Sequence, residues 1–254
     1  MGAGGLGMGR RAGVSRAMVA AHRGVATGAA ENTIEAFTNA IAVGADMIEF
    51  DVRMTRDGEL IAFHDARVNG MPTGTLTRDE IESATGVRPP LLAEVLRVCA
   101  GLIKLDVELK EDGYEPAVMA ALKAVMDPGE FVVTSFLPTA IARSKTAFPE
   151  VKTGLLIGGS ARWAGMPTSL RELYPVDLAR RVHADYLAPH YSLAQFGTVR
   201  RAAAAGLPCL LWTVNADEDI RVFAADPRVA AIITDRAERA LAIVGAASPE
   251  TPGG

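Results

Sequence analysis

The sequence predicts an α/β chain folded as a closed (β/α)8 TIM barrel, and three observations carry that expectation. Eight short β-branched or apolar runs alternate with longer alanine-rich segments of helical period, the mark of repeated βα units around a parallel sheet. The chain has 254 residues and no linker-like break, which suits eight such units in one body. Polar and charged residues collect at the carboxyl ends of the runs, where barrels of this kind build their sites.

The runs are, in order, MVAAHRG (18–24), MIEFDV (47–52), IKLDVELK (103–110), FVVTSF (131–136), VKTGLLIGG (151–159), DYLAPHY (185–191), CLLWTVN (209–215) and AAIITD (230–235). Helical periodicity covers about 31–44, 91–100, 114–126, 139–147, 169–183, 195–205, 217–225 and 236–244. In the first helix Ile34, Phe37, Ala40 and Ile41 form one apolar stripe suited to a sheet, and Gly44 ends it. Asn32 and Thr33 are both candidates to cap its start, with a role in the site as the alternative for either.

A ninth run, ELIAFHD (59–65), follows the second strand after only RMTRDG, too short for a crossover helix. It reads as a hairpin arm turning at Asp57-Gly58, and a two-residue turn there would set Asp51 opposite His64. The segment 66–90 is then a short insertion between the second strand and the second helix. The expected organisation is a flexible segment 1–17, a single catalytic barrel 18–245 and a disordered tail 246–254.

Composition narrows the function. Hydrophobic residues make up 49% and charged residues 22%, enough apolar material for a core of its own. The net charge of −4 comes from interspersed signs, so neither a nucleic-acid partner nor an anionic membrane surface is expected. No apolar run is long enough for a transmembrane helix, and the glycine-rich start lacks a secretory h-region. Cys99 and Cys209 form no CxxC or metal-spaced pattern, which points to a reduced, cytoplasmic protein. Pairing through outer helices is the homo-oligomer such a barrel would form, though no motif specifies it.

The strand ends carry the chemistry. The first run ends in His22-Arg23, the second in Glu49-Phe50-Asp51, the third in Glu108-Leu109-Lys110, the fourth in Ser135, the sixth in His190, and the seventh in Trp212, Thr213 and Asn215. Side chains alternate along a strand, so Glu49 and Asp51 share a face, as do Glu108 and Lys110. Three carboxylates brought together need a counter-charge, and a hard divalent cation with oxygen ligands, calcium or magnesium, supplies it. His22 and His64 beside that metal suit general acid–base work near neutral pH. Arg23 and Lys110 add two cations, so the substrate is expected to be a small anionic, phosphorylated molecule. Asp106 also faces inward, deeper in the barrel. It can pair with Lys110 or Lys104 or serve as a structural buried acid, and is not assigned to the metal.

With these residues in view, HRG, ENTIEAFTNAIAVGADMIEFDVRMTRDGELIAFHD, VELK, TSF, LLWTVN and AAIITDR resemble the glycerophosphodiester phosphodiesterase family over residues 20–236. The resemblance implies a TIM barrel that hydrolyses glycerophosphodiesters to glycerol 3-phosphate and an alcohol. It implies His22 and His64 as the acid–base pair, Glu49, Asp51 and Glu108 as calcium or magnesium ligands, and Arg23 and Lys110 as phosphate holders. Trp212 either walls the pocket or belongs to the core. The segment 66–90 is shorter than the insertion family members often carry, which leaves leaving-group preference open, and Ala30 stands where many relatives have proline. A lysophospholipase D-like activity on lysophospholipids is the alternative within the same site. A catalytically silent binding barrel would have lost a histidine or a metal carboxylate, and none is lost.

Overall fold

The computed structural model describes residues 16–158 and 174–246. Among these, eight parallel strands close into a barrel: β1 (Met18–His22), β2 (Met47–Met54), β6 (Lys104–Leu109), β7 (Phe131–Ser135), β8 (Lys152–Ile157), β9 (Tyr186–Pro189), β10 (Cys209–Leu211) and β11 (Val229–Thr234). Closure is explicit, because β1 pairs in parallel with both β2 and β11. β3 (Leu60–Ala62) lies antiparallel on β2, and β4 (Arg67–Val68) and β5 (Met71–Pro72) form a separate small ribbon.

Alternation along the strands explains both the core and the site. On β2, Ile48, Phe50 and Val52 point outward into the apolar layer beneath the helices. Met47 packs instead in the barrel interior with Ala20, Val132, Leu156, Tyr186, Leu210 and Ile233. Residues two and four beyond Met47 on that inner face are Glu49 and Asp51. β6 repeats the pattern, with Leu105, Val107 and Leu109 in the outer layer and Asp106, Glu108 and Lys110 on the other parity. The barrel is thus sealed by apolar side chains towards the amino ends of its strands and polar towards their carboxyl ends.

The outer helices are α1 (Ile34–Ala42), α3 (Leu92–Cys99), α4 (Glu115–Lys123), α5 (Pro138–Ala147), α6 (Pro175–Arg181), α7 (Thr198–Ala204), α8 (Asp217–Ala225) and α9 (Ala237–Ala246). Most are shorter than their periodicity suggests. α1 begins only after Thr33, whose Oγ1 accepts from the Ala36 N–H at 3.2 Å, so Thr33 rather than Asn32 is the cap. Residues 169–173 of the expected fifth helix lie outside the described residues.

Three expectations need correction. The hairpin pairs Val52 with Ala62, so Asp51 faces Phe63, whose N–H donates to the Asp51 carbonyl at 3.0 Å, and not His64. The turn has three residues, Arg56-Asp57-Gly58, between Thr55 and Glu59, and Gly58 at φ 85° takes its left-handed last position. Segment 66–90, an insertion in which no helix is expected, has elements of its own. It contains a 3-10 turn (Thr73–Thr75) and helix α2 (Arg78–Thr85), started by a Thr77/Glu80 capping box. Finally, residues 16 and 17 of the expected flexible start are tied down: Arg16 pairs with Asp46 at 2.7 Å, and buried Ala17 donates its N–H to the Ala224 carbonyl. Residues 1–15 and the expected tail from 247 onward lie outside the described residues, while Ala246 ends α9.

Among the described residues no helix is long and apolar enough to cross a membrane. Cys99 and Cys209 are buried, unbridged thiols, each pushed up to about 12 by burial.

Candidate active site

Register places the acids. β1, β2 and β6 align His22 with Glu49, Glu49 with Asp106, and Asp51 with Glu108. Glu49, Asp51 and Glu108 are buried, and each offers an oxygen within 4.8 Å of the others. Three oxygen donors without sulfur match the donor set of a hard divalent cation, so the residues fit a divalent metal.

The electrostatics reinforce this reading. Burial pushes the Glu49 carboxyl well above its ordinary range, and the charges of Asp51, Glu108 and Asp106 push it further. Burial also raises Glu108; Lys110 pulls it back and Asp51 adds to the rise. Asp51 goes the other way, because Lys110, Arg23 and His64 together outweigh its burial. Asp106 is pushed up to about 7, chiefly by burial, against one hydrogen bond of 2.7 Å from Thr134 Oγ1.

Lys110 is the counter-charge within this cluster. Its Nζ stands 2.6 Å from Asp51 Oδ1 and 2.6 Å from Glu108 Oε1, and these carboxylates raise its pKa against the effect of burial. Arg23 adds a second cation, with Nε 3.2 Å from Asp51 Oδ2 and a terminal nitrogen 2.7 Å from Glu31. Its backbone is left-handed, at φ 54°, and its N–H donates to the Glu49 carbonyl at 2.7 Å. Gly24 follows because α1 packs against it: a Cβ there would come within 2.7 Å of Ala36.

The two histidines approach from different elements. His22 Nδ1 is 2.5 Å from Asp235 Oδ1, and its Nε2 lies 3.8 Å from Glu49 Oε2. His64 follows β3, with Nδ1 2.9 Å from Asp65 Oδ1, and burial lowers its pKa. Its carbonyl is gripped by buried Arg53, which donates from Nε at 3.0 Å and from a terminal nitrogen at 2.7 Å, while Arg53 also pairs with Glu111. The one-residue register difference therefore leaves His64 at the site, since the chain has left the ladder by then.

These groups line one cavity of about 310 Å³, bounded by His22, Arg23, Glu49, His64, Glu108 and Lys110, with Asp106 also lining it and an apolar side of Phe136, Leu156 and Trp212. Trp212 satisfies its indole N–H on the Ala188 carbonyl at 2.8 Å and meets Phe136 edge-on, so it offers the cavity an apolar ring. Every residue given a catalytic, metal or phosphate-binding role from the sequence borders this cavity, as does Trp212, except Asp51, which is buried under Lys110 and Arg23. Ser135 turns away, donating to the Leu109 carbonyl, and His190 bonds Ser192 beside Trp212.

The sequence leaves one site residue, Asn32, between a capping and a site role, and misses another, Asp235. Asn32 donates from Nδ2 to Asp51 Oδ2 at 2.8 Å; the available signal was that Asn32 and Thr33 cannot both cap one helix. Asp235 lies two residues past Ile233, and the same parity that selects Glu49 and Asp51 selects it.

The comparisons agree with this geometry. The model of the Glycerophosphoryl diester phosphodiesterase family matches residues 22–239. A glycerophosphodiester phosphodiesterase of Caldanaerobacter subterraneus subsp. tengcongensis is 30% identical, over 90% of this chain and 98% of the relative. In fold, a glycerophosphodiester phosphodiesterase of Parabacteroides distasonis superposes with a TM-score of 0.77 at 23% identity, covering 92% of this chain and 98% of that one. A phosphodiesterase of Oleispira antarctica, solved with sn-glycerol-3-phosphate as product, gives 0.70 at 22% identity, covering 91% and 97%. This chain belongs to the glycerophosphoryl diester phosphodiesterase family of enzymes.

Proposed function

We propose that the chain hydrolyses glycerophosphodiesters to glycerol 3-phosphate and an alcohol such as choline, ethanolamine or glycerol, as a metal-dependent enzyme of the cytoplasm. The observation that carries this reading is one cavity bordered by His22, His64, Arg23, Lys110, Glu49 and Glu108, with Asp51, the third carboxylate of the buried cluster, directly behind them. Glycerol 3-phosphate as product is supported by the ligand of the Oleispira relative.

Glu49, Asp51 and Glu108 would hold calcium or magnesium, which supplies Lewis-acid polarisation of a phosphoryl oxygen when bound. Arg23 and Lys110 retain N–H donors beyond those spent on carboxylates, and these hold the remaining phosphoryl oxygens, where negative charge grows in the transition state. One imidazole of the His22/His64 pair takes the proton of the attacking oxygen, and the other gives a proton to the leaving alkoxide. Trp212 and Phe136 offer apolar walls to the carbon skeleton of the substrate.

The test is release of glycerol 3-phosphate from glycerophosphocholine by purified protein, with chelator and with calcium or magnesium restored, alongside a lysophosphatidylcholine arm. Release abolished by chelator and rescued by one metal is the expected result. Turnover of the lysophospholipid alone would replace the substrate class, and full activity in chelator would remove the metal from the mechanism.

A further inference from the structure

His22 and Asp235 come from opposite ends of the chain and meet across the β1–β11 seam, where Met18 to Ala21 pair in register with Ala231 to Thr234. One residue beyond the last pair, His22 Nδ1 and Asp235 Oδ1 are 2.5 Å apart. Asp235 is itself anchored. Asn215, beyond β10, donates from Nδ2 to Asp235 Oδ2 at 2.6 Å, and its Oδ1 accepts from the Asp235 N–H at 3.0 Å and from Thr234 Oγ1 at 3.1 Å. One carboxylate oxygen is therefore committed to Asn215 and the other to His22. His64 differs, since its carboxylate neighbour is the adjacent Asp65, whose side chain is largely exposed.

We propose that Asp235 is a positioning residue which, held by Asn215, fixes His22 in the tautomer protonated on Nδ1. A carboxylate only accepts hydrogen bonds, so the ring nitrogen facing it must donate. In the neutral ring Nε2 then carries the lone pair, on the side facing Glu49 and the cavity. The catalytic consequence rests on the reading of His22 as a proton carrier in the proposed hydrolysis; the tautomer itself does not.

Asp235→Asn tests this sharply because of Asn215. The fixed Nδ2–H of Asn215 would draw the oxygen of the new amide, turning its NH2 towards His22 Nδ1 and driving the imidazole proton to Nε2. Ring 15N shifts, recorded where the imidazole is neutral and assigned with His22→Gln, should show the Nδ1–H tautomer in the wild type and the Nε2–H tautomer in Asp235→Asn. Turnover should fall on the order of a hundred-fold or more in kcat, with KM within about two-fold. Asn215→Ala keeps the carboxylate, so it should keep the tautomer and lose about ten-fold in kcat. An Nε2–H tautomer in the wild type, or one unchanged by Asp235→Asn, overturns the proposal, as does a switched tautomer with full kcat. A switched tautomer in a protein whose wild type cleaves no glycerophosphodiester upholds the positioning and overturns the reaction instead.

Discussion

Asn32 holds Asp51 from two sides, donating from its amide to Oδ2 at 2.8 Å and accepting the Asp51 N–H on its own oxygen at 3.3 Å. It does so from a left-handed backbone, φ 56°, a conformation asparagine tolerates better than most residues. Asn32→Ala removes both contacts and leaves a buried carboxylate short of a donor, a loss of about 1–3 kcal/mol. Denaturant unfolding should show that loss, and calorimetry should show calcium or magnesium binding weakened about ten-fold or more. Unchanged metal affinity would separate Asn32 from the carboxylate cluster.

His22→Ala and His64→Ala should each reduce turnover by a factor on the order of a hundred or more while leaving the circular dichroism of the barrel intact. Both rings lie at the cavity rim rather than in the apolar layers, so their removal opens no core void. Near-wild-type kcat in either variant would take that histidine out of proton transfer.

Glu49→Gln separates repulsion from ligation. In metal-free protein the substitution relieves like-charge crowding at a carboxyl that burial and the neighbouring acids push well above its ordinary range, so thermal stability should hold or rise. Added metal should stabilise the wild type by mass action and the variant far less. Equal metal-induced shifts in Tm would exclude Glu49 as a ligand.

Asp185 offers a pH prediction away from the site. Burial opposes its ionisation, but hydrogen bonds from Lys152, the Thr153 N–H and Lys145 outweigh it and hold its pKa below the ordinary range. A carboxyl lowered in the folded state contributes stability above its unfolded pKa of about 3.9, and that contribution is lost as pH falls through the folded value. Asp185→Asn should therefore cost about 1–3 kcal/mol near pH 7 and progressively less below about pH 4. A cost independent of pH would mean that shape rather than charge matters there.

Barrel and carboxylate cluster were legible because both follow from period-two alternation. Once β2 and β6 are recognised, Glu49, Asp51, Glu108 and Lys110 must share the inner face. Turn geometry was less legible, because Asp57-Gly58 suits both a two-residue turn and the three-residue turn that forms, and the choice shifts the partner of Asp51 by one. Helix α2 was overlooked although Thr77 and Glu80 carry its capping box, since its only buried residue, Ile81, gives almost no apolar stripe. Asn32 and Asp235 were half legible: parity and the single cap position point to them, but their partners Asp51 and His22 lie 19 and 213 residues away in sequence, which local pattern does not encode.

That last separation has a kinetic consequence. The β1–β11 seam joins the first strand to the last, so the His22–Asp235 contact exists only when the ring of strands is complete, and its loop-closure entropy is among the largest in the chain. Helices and neighbouring strand pairs form from nearby contacts and need not wait for it. Recovery of catalytic activity during refolding should accordingly trail recovery of helical signal, making the enzyme its own reporter of barrel closure.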